Sequence, residues 1–468
     1  MPKPAEEDNL LKVRLGYLLL VVYFTSQISL LFISRQQNFI SILLTYVFAF
    51  GSYVLLIRKE LNISSVYFLL KIGIVLRLLA VFAFPHLSDD VYRYWWDGTL
   101  LSNGINPFSF TPAEILNSTI SPDLRQSLAQ VFPNLNSPEY RTVYPGFSQL
   151  LFYLGVLISG KNLYLFSIAL KLFFLIGDIL LLYVVHNLTR KLNLPLSLSV
   201  IYFLNPLVIT ELSGNLHFEL WLILFFGWSV LYFLENKYLK SGIFLGLSII
   251  SKITTAFFTP LLLSAKSLKQ TVYFILACLI LFIGTQVLFI NDLQHLQGYF
   301  LYIRQFEFNS MIYGPLEQYF IHHNLWVLKS KTGMITGGIF LSIYTWMIGY
   351  HFYKVFKKSS LVREVGSQPF HLINLNSSFN FQLAWWIFFS YLLLSSTVHP
   401  WYLATLLFIG VFSYPFISIV WTGLIMTSYI HYDVRYEAYF NVVKILEYSV
   451  LLLSLAFTLF NQHKRISR

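Results

Sequence analysis

Two adjacent carboxylates, Asp89 and Asp90, follow directly on a long apolar run. Neighbouring carboxylates repel each other, and in a partly desolvated cleft the pKa of one of them rises. One can then act as a general base while the other orients it or holds a second reactant. A structural role is the alternative, because Ser88 and the two acids would open a helix over 89–101 and stabilise its N-terminus. Both roles are compatible with this pattern.

The predicted helix that follows carries aromatic, basic and acidic side chains: Tyr92, Arg93, Trp95, Trp96 and Asp97. Arg93 lies four residues after Asp89 and three after Asp90, so its guanidinium can face either carboxylate. Aromatic faces beside acids are typical of sugar sites, although the tryptophans also suit an interfacial aromatic belt. The segment Asn103-Gly104-Ile105-Asn106-Pro107 predicts a turn that ends the helix.

A second polar group lies between two apolar runs: Asn205, Glu211, Asn215, His217 and Glu219. Buried in lipid, each of these side chains would cost on the order of several kcal/mol. We therefore expect them to face a cavity, the headgroup region or each other, or to form a short loop at a membrane face. His217 and Glu219 lack the spacing of a zinc-binding helix motif.

Four more places carry candidate binding residues. Lys252 would either hold a lipid phosphate as a point charge or extend to the membrane interface. In His399-Pro400-Trp401-Tyr402, the proline breaks a helix beside side chains that suit a phosphate or sugar pocket, or that form a kink with belt aromatics. Phe306-Glu307-Phe308-Asn309, preceded by Arg304, lies in a hydrophilic stretch, and Arg435 is a weaker candidate for a phosphate contact.

Composition indicates the surroundings of these groups. Of 468 residues, 56% are hydrophobic and 11% are charged, whereas soluble domains have about 25% charged residues. The chain is expected to be all-α, a single polytopic transmembrane bundle over 1–468. The net charge of +11 comes from short Lys and Arg pairs between apolar runs, which indicates topology signals and excludes a nucleic-acid partner. Runs of about 20 apolar residues predict 12–13 spans: 15–33, 38–57, 66–85, 163–186, 195–212, 217–235, 241–263, 271–290, 333–355, 381–397, 401–420, 444–461 and, for the larger count, 416–431.

Polar stretches and charge bias predict the orientation. An outer loop is expected over about 86–142, which has no lysine, a second outer-type loop over about 291–331, and a cytosolic loop over about 356–380. Basic residues near the N-terminus and after the second span place those segments inside, so the aspartate pair lies outside. The apolar segment 146–159 would reach only about 21 Å as a helix, so the topology after it stays open.

Four segments carry a resemblance to a known family. Ser88-Asp89-Asp90-Val91-Tyr92-Arg93-Tyr94 with Trp96-Asp97-Gly98 and Gly104-Ile105-Asn106-Pro107 resembles the first outer loop of GT-C fold polytopic glycosyltransferases. It looks most like the polyprenyl-phosphate-mannose-dependent mannosyltransferases of bacteria. Three further segments are similar in the same order: Tyr144-Pro145, Asn205-Pro206 to His217, and His399-Pro400-Trp401-Tyr402.

The sequence also departs from that family in three places. Leu216 and Glu219 stand where the family's short loop often has glycine and aspartate, and Gly146 stands where it has a second proline. The resemblance covers roughly residues 70–435. These departures do not change the expected fold. They affect the expectation of which sugar is transferred.

The resemblance implies an inverting hexose transfer, with mannose as the expected sugar, from a polyprenyl-phosphate donor to a glycan or lipid acceptor. It implies Asp89 as base, Asp90 as its partner, no cofactor and no required metal, and a site on the outer face of a bacterial inner membrane. A transporter or flippase of a lipid-linked sugar is the alternative. The expected substrate-binding residues are Tyr92, Arg93, Trp96, Asp97, Asn106, Tyr144, Glu211, Asn215, His217, Glu219, Lys252, Asn309, His399, Trp401, Tyr402 and Arg435.

Overall fold

The computed structural model describes residues 4–58, 61–263, 268–289, 306–363 and 379–466. Within these ranges the secondary structure is helical apart from one isolated bridge between Phe308 and Thr397. The α-helices up to residue 289 are α1 (Pro4–Phe32), α2 (Phe39–Ile57), α3 (Ile63–Ala80), α4 (Asp90–Ser102), α5 (Pro112–Asn117), α6 (Pro122–Val131), α7 (Gly146–Ser159), α8 (Leu163–Lys191), α9 (Ser197–Phe203), α10 (Glu219–Leu234), α11 (Tyr238–Ser251) and α12 (Leu268–Phe289). Those after residue 305 are α13 (Tyr313–His322), α14 (Trp326–Lys329), α15 (Thr332–Arg363), α16 (Phe381–Leu394), α17 (Leu403–Val411), α18 (Pro415–Leu424) and α19 (Phe440–Ile466).

Shorter helical pieces connect several of these helices. Val208–Gly214 is a π-helical segment. The 3₁₀ segments are Phe132–Asn134, Ile253–Leu262, Pro400–Tyr402, Ile425–Tyr432 and Glu437–Tyr439. The prediction of an all-helical polytopic bundle is confirmed.

The number of long spans is smaller than predicted. Seven helices in the described ranges are long and apolar enough to cross a membrane, or eight if the bent pair Ser197–Phe203 and Val208–Gly214 forms one span. Other apolar runs form helices of only 10–17 residues, because backbone breaks such as the one at Lys252 divide them. The predicted 12–13 spans counted apolar runs, and such runs do not all form continuous helices. Much of the expected loop 291–331 and of the loop 356–380 lies outside the described residues.

Helix α4, which begins at the aspartate pair, packs tightly on α7. A Cβ added at Gly98 would lie 2.4 Å from the carbonyl oxygen of Phe152, so only glycine permits this approach. Tyr94 also stacks on the Phe152 ring, with centroids 4.5 Å apart. The short helix α7 therefore fixes the direction of α4.

The chain bends by 58° between α9 and the π-helical segment. A buried ion pair lies against this break: Arg77 Nε of α3 is 2.9 Å from Asp178 Oδ1 of α8. Ser213 donates to Asp178 at 2.8 Å, and Arg77 donates to the Phe203 carbonyl at 2.8 Å. Arg77 thus satisfies the Phe203 carbonyl at the end of α9, where the chain bends.

Candidate functional site

The two aspartates have different surroundings although they are adjacent. Asp89 occupies the N-cap position of α4, but its side chain makes no capping hydrogen bond. The Asp90 N–H donates instead to the Ser88 hydroxyl at 3.3 Å. The predicted capping role therefore belongs to Ser88, and the Asp89 carboxylate is left for another function.

Asp89 faces an open cavity of about 390 Å³. Its side chain accepts no hydrogen bond from the described residues, and partial burial raises the pKa of its carboxyl group above the usual value. The cavity is lined by Arg35, Gln37, Pro85, His86, Asp89, Tyr92, Pro133, Asn134, Leu135 and Asn136.

Asp90 is held by a set of polar side chains. Tyr94 donates its hydroxyl to Asp90 Oδ2 at 3.4 Å, and Asn136 donates to Oδ1 at 3.4 Å. His217 Nδ1 lies 3.7 Å from Oδ2. These contacts fix the orientation of the Asp90 side chain. The Asp89 side chain has no such contacts among the described residues.

His217 links Asp90 to a second buried carboxylate. Its Nε2 lies 3.3 Å from Glu211 Oε2, and Tyr429 donates its hydroxyl to Glu211 Oε1 at 2.8 Å. Burial lowers the pKa of the His217 imidazole to about 4, so at neutral pH the ring carries one N–H. The ring can donate to only one of the two flanking carboxylates, and Glu211 is also within 3.5 Å of the Asn215 amide.

The backbone before His217 has a left-handed residue. Leu216 has φ of +64° and is fully buried, at the position where the related short loop often has glycine. A non-glycine residue in this region is strained and persists only where its surroundings fix it. Asn215 contributes to that fixing, because its Oδ1 accepts the Leu87 N–H at 3.2 Å and so joins the short loop to the first outer loop.

Four rings stack next to this chain of contacts. His217 lies on Trp401 with centroids 3.6 Å apart, and Trp401 lies on His399 at 4.3 Å. Phe308 covers the other side of His399 at 4.6 Å. Burial, together with the nearby basic groups His217 and Lys252, holds the pKa of His399 well below its usual value.

Lys252 forms an ion pair with Glu219 and places its ammonium group 3.8 Å from the centroid of the Tyr402 ring. Both contacts hold the lysine within the bundle, although about a quarter of its side chain, 28%, stays exposed. The structure thus brings together these predicted residues: Asp90, Glu211, Asn215, His217, Glu219, Lys252, His399, Trp401 and Tyr402.

The predicted pairing of Arg93 with the aspartates is wrong. Arg93 Nε donates to Asp97 at 2.8 Å, and its Nη1 donates to the Tyr140 carbonyl at 2.9 Å. Asp97 is fully buried and also accepts from Gln149 Nε2 at 3.0 Å. Arg93 and Asp97 therefore connect α4 to the Tyr140 carbonyl of the outer loop and to Gln149 of α7.

Three further predicted residues, Tyr92, Trp96 and Tyr144, lie in or next to the first outer loop. Tyr92 lines the cavity beside Asp89, whereas Trp96 is fully buried and packs its ring 6.0 Å from Phe132. Tyr144 lies edge-on to the Tyr94 ring at 4.9 Å, one contact from Asp90. Trp96 is thus a core residue and not an interfacial one.

Three other predicted residues take part in contacts elsewhere. Asn106 accepts the Phe108 N–H at 3.0 Å and shapes the turn after α4. Asn309 donates to Glu447 at 3.2 Å. Arg435 donates to Asp433 at 2.7 Å and is mostly exposed. Arg304, expected beside Asn309, lies outside the described residues.

Sequence reasoning missed Tyr429, Asn136 and the cavity residue Arg35. Tyr429 lies in an apolar 3₁₀ segment with no motif, and it is 218 positions from Glu211. Asn136 lies in the acidic outer loop, and this location is the sequence feature that could have indicated it as a site residue. In the described part of the chain, no group of three or more His, Cys, Asp or Glu residues is arranged to hold a metal ion.

Comparison with known proteins gives one match. The family model for the alpha-(1->6)-mannopyranosyltransferase N-terminal domain matches residues 25–266, which is more than half of the chain. The matched region contains both aspartates, Glu211, His217 and Lys252. No curated protein and no solved structure matches the chain.

Proposed function

Since the chain belongs to the alpha-(1->6)-mannopyranosyltransferase family, we propose that it transfers mannose from a polyprenyl-phosphate donor to a glycan or lipid acceptor. Family membership makes the chain a glycosyltransferase of the mannosyltransferase class, and its long apolar helices make it an integral membrane protein. A transporter would not account for this membership. The donor, the stereochemistry and the base are what we propose here.

The observation that supports the reaction best is the environment of Asp89. Its carboxylate is half-buried, has no protein donor in the described ranges, and faces an open polar cavity. Burial raises its pKa, which makes the ionised form a stronger base. Asp89 is therefore the group that accepts the proton from the acceptor hydroxyl.

Asp90 serves as the partner of this base. Its oxygens already accept from Tyr94 and Asn136 and lie near His217, so they are less available to an incoming hydroxyl. The Asp90 carboxylate is thus the one held in place, and the Asp89 carboxylate is the one left open to the cavity.

The proposed reaction is a single displacement. The acceptor oxygen attacks the anomeric carbon, its proton passes to Asp89, and the bond from that carbon to the phosphate oxygen breaks. Polyprenyl phosphate leaves with the bonding electrons and with added negative charge. Inversion combined with an α-linked product requires a donor in which mannose is β-linked to phosphate.

Basic groups near the ring stack suit the leaving phosphate. His399 and Lys252 lie beside Trp401 and Tyr402, which follow each other in the chain. Donors fixed where negative charge develops contribute strongly to such reactions. Lys252 would share its ammonium between Glu219 and the phosphate, whereas the contacts of Arg435 with Asp433 do not support a phosphate role for that arginine.

The distribution of basic residues supports an active site on the outer face of the membrane, and we propose that this membrane is a bacterial inner membrane. The loop that contains the aspartate pair has no lysine over 86–142, whereas Arg58 and Lys59 follow the second span. A lipid-linked donor presented at that face would then reach Asp89 without crossing the bilayer.

A donor-anomer experiment tests the proposed reaction. Purified protein in lipid nanodiscs would be given polyprenyl β-mannosyl phosphate or its α anomer, with α-(1→6)-linked mannobiose as acceptor. We expect transfer from the β anomer alone and an α-linked trisaccharide by NMR. Transfer from the α anomer with an α-linked product would show retention and would rule out a single displacement.

A further inference from the structure

The cavity beside Asp89 has its own set of polar side chains, and one wall comes from outside the first outer loop. Arg35 and Gln37 lie in the turn between α1 and α2. We propose that this cavity binds the acceptor as a neutral, hydroxyl-rich sugar segment, and that the α1–α2 turn is an acceptor-recognition element. This inference rests on the proposed function, because it takes Asp89 as the base.

The hydrogen-bonding capacity of the lining supports a ligand here. The Asp90 carboxylate accepts hydrogen bonds from Tyr94 and Asn136. Among the described residues, by contrast, the side chains of Gln37, His86, Asp89 and Asn134 have no hydrogen-bond partner. Amide, imidazole and carboxylate groups that converge without partners are suited to sugar hydroxyls, which both donate and accept.

The turn has a fixed position. The Gln36 N–H donates to the His86 carbonyl at 3.1 Å, which ties the turn to the segment just before the aspartate pair. On the other side, the Phe39 N–H donates to Asp433 Oδ2 at 3.0 Å. Because the α1–α2 turn is held at both ends, little of its conformational freedom is lost when an acceptor binds. A turn fixed in this way can discriminate between acceptors.

Arg35 belongs to the same wall but has a second role. Its Nη1 donates to the carbonyls of Phe32, Ile33 and Ser34 at 3.2 Å, which caps the end of α1. The remaining guanidinium N–H groups have no partner among the described residues. They can add a donor for a sugar hydroxyl without altering the cap.

The volume and polarity of the cavity fit such a ligand. About 390 Å³ lies within the range of about 300–1,000 Å³ that is usual for small-molecule sites. The Tyr92 ring supplies one aromatic face, and Asp89 at the wall places the base against a bound hydroxyl. A sugar in this cavity would therefore have one hydroxyl at the proposed base.

The test uses the double variant Gln37→Ala with Asn134→Ala, because neither side chain has a structural partner in the described ranges. Binding of α-(1→6)-linked mannobiose would be measured by calorimetry on the full chain in nanodiscs, without donor. Transfer kinetics with polyprenyl β-mannosyl phosphate would follow. We expect acceptor affinity to weaken by about tenfold, as the loss of two hydrogen bonds predicts, with an unchanged donor KM.

Gln126→Ala is the matched control, since Gln126 is an exposed glutamine on α6 of the same outer loop and lies outside the cavity. It should bind mannobiose like the wild type. Equal binding by the double variant and the wild type, no mannobiose binding by the wild type, or a rise in donor KM would overturn the inference. If the wild type binds mannobiose more tightly than the double variant but transfers no mannose, the proposed function fails and the cavity stands as a sugar-binding site alone.

Discussion

Asp89 and Asp90 differ in their hydrogen bonds more than in their burial. Asp90 is held by Tyr94 and Asn136 and lies near His217, whereas Asp89 faces the cavity without a described partner. Such a division lets one carboxylate change its protonation state while the other keeps its position. The site thereby separates the proposed base, Asp89, from its proposed partner, Asp90.

The raised pKa of Asp89 predicts the direction of the pH dependence. The base must be ionised to accept a proton, so transfer is present above its pKa and is lost as the pH falls through it. Because burial raises that pKa, the loss should begin above the ordinary aspartate value of about 4. Measurement of kcat/KM against pH checks this, and a rate that stays constant down to about pH 4 would contradict it.

His217 should act as a positioning residue for Asp90. His217→Leu removes both ring nitrogens but keeps an apolar side chain against Trp401, and kcat should fall by about 10²-fold through misplacement of Asp90. His217→Asn can place a donor near the position of Nδ1 and should recover part of the loss. Comparison of kcat for the two variants, with thermal unfolding as a folding control, tests this role; equal kcat values would count against it.

Spacing alone could not decide the partner of Arg93. Asp89 and Asp97 both lie four residues away on the same helix, so the sequence offered two equivalent ion pairs. The structure selects Asp97, where Gln149 satisfies the second carboxylate oxygen. The burial of Asp97 and its contact with Gln149 of α7 determine which carboxylate Arg93 binds. Helical spacing shows neither of them.

At the scale of the elements, the contact between α4 and α7 determines where the aspartate pair lies. Gly98→Ala would push a Cβ to 2.4 Å from the Phe152 carbonyl oxygen, so the two helices must separate. We expect a loss of about 1–3 kcal/mol of stability together with reduced transfer. The measurement is the thermal midpoint in detergent alongside the transfer rate.

Gly51→Ala is the matched control for this substitution. Gly51 lies inside α2, and nothing lies within 4 Å of a Cβ added there. Alanine at such a helical position should be neutral or stabilising. If Gly98→Ala unfolded at the same temperature as Gly51→Ala, the close packing of α4 on α7 would be disproved.

The sequence predicted correctly that the secondary structure is helical, but it predicted the lengths of the helices less well. Apolar runs located the helices. The polar residues between α9 and α10 were expected to face a cavity, the headgroup region or each other, or to form a short loop at a membrane face, and in the structure Glu211 and His217 face each other. The bend of 58° and the left-handed Leu216 were not expected, because a buried leucine gives no signal for positive φ. Run length also overestimated the spans, since hydropathy does not detect backbone breaks.

For the whole molecule, the buried Arg77–Asp178 pair and its hydrogen bonds to Phe203 and Ser213 join four elements of the bundle. Arg77→Met would leave Asp178 as an unpaired buried charge, which costs about 3–5 kcal/mol. The double variant Arg77→Met with Asp178→Asn removes both charges and keeps an acceptor for Ser213. We expect it to unfold closer to the wild-type temperature than the single variant does. A double variant no more stable than the single one would contradict the ion-pair assignment.

The site is completed by residues from both halves of the chain. The matched family region ends at residue 266, yet Tyr429 holds Glu211 and Trp401 covers His217. His399-Pro400-Trp401-Tyr402 was found from its helix-breaking proline, whereas Tyr429 could not be found from sequence. Contacts between residues this far apart in the sequence depend on how the helices pack together. Local sequence patterns do not show that packing.

Transfer by the two aspartate variants shows whether Asp89 is the base. Polyprenyl β-[¹⁴C]mannosyl phosphate and α-(1→6)-linked mannobiose would be given to the wild type, Asp89→Asn, Asp90→Asn and, as control, Asp123→Asn on the exposed side of α6. We predict that Asp89→Asn loses at least about 10²-fold in kcat, that Asp90→Asn loses less, and that Asp123→Asn matches the wild type. Wild-type transfer by Asp89→Asn in folded protein would contradict Asp89 as the base.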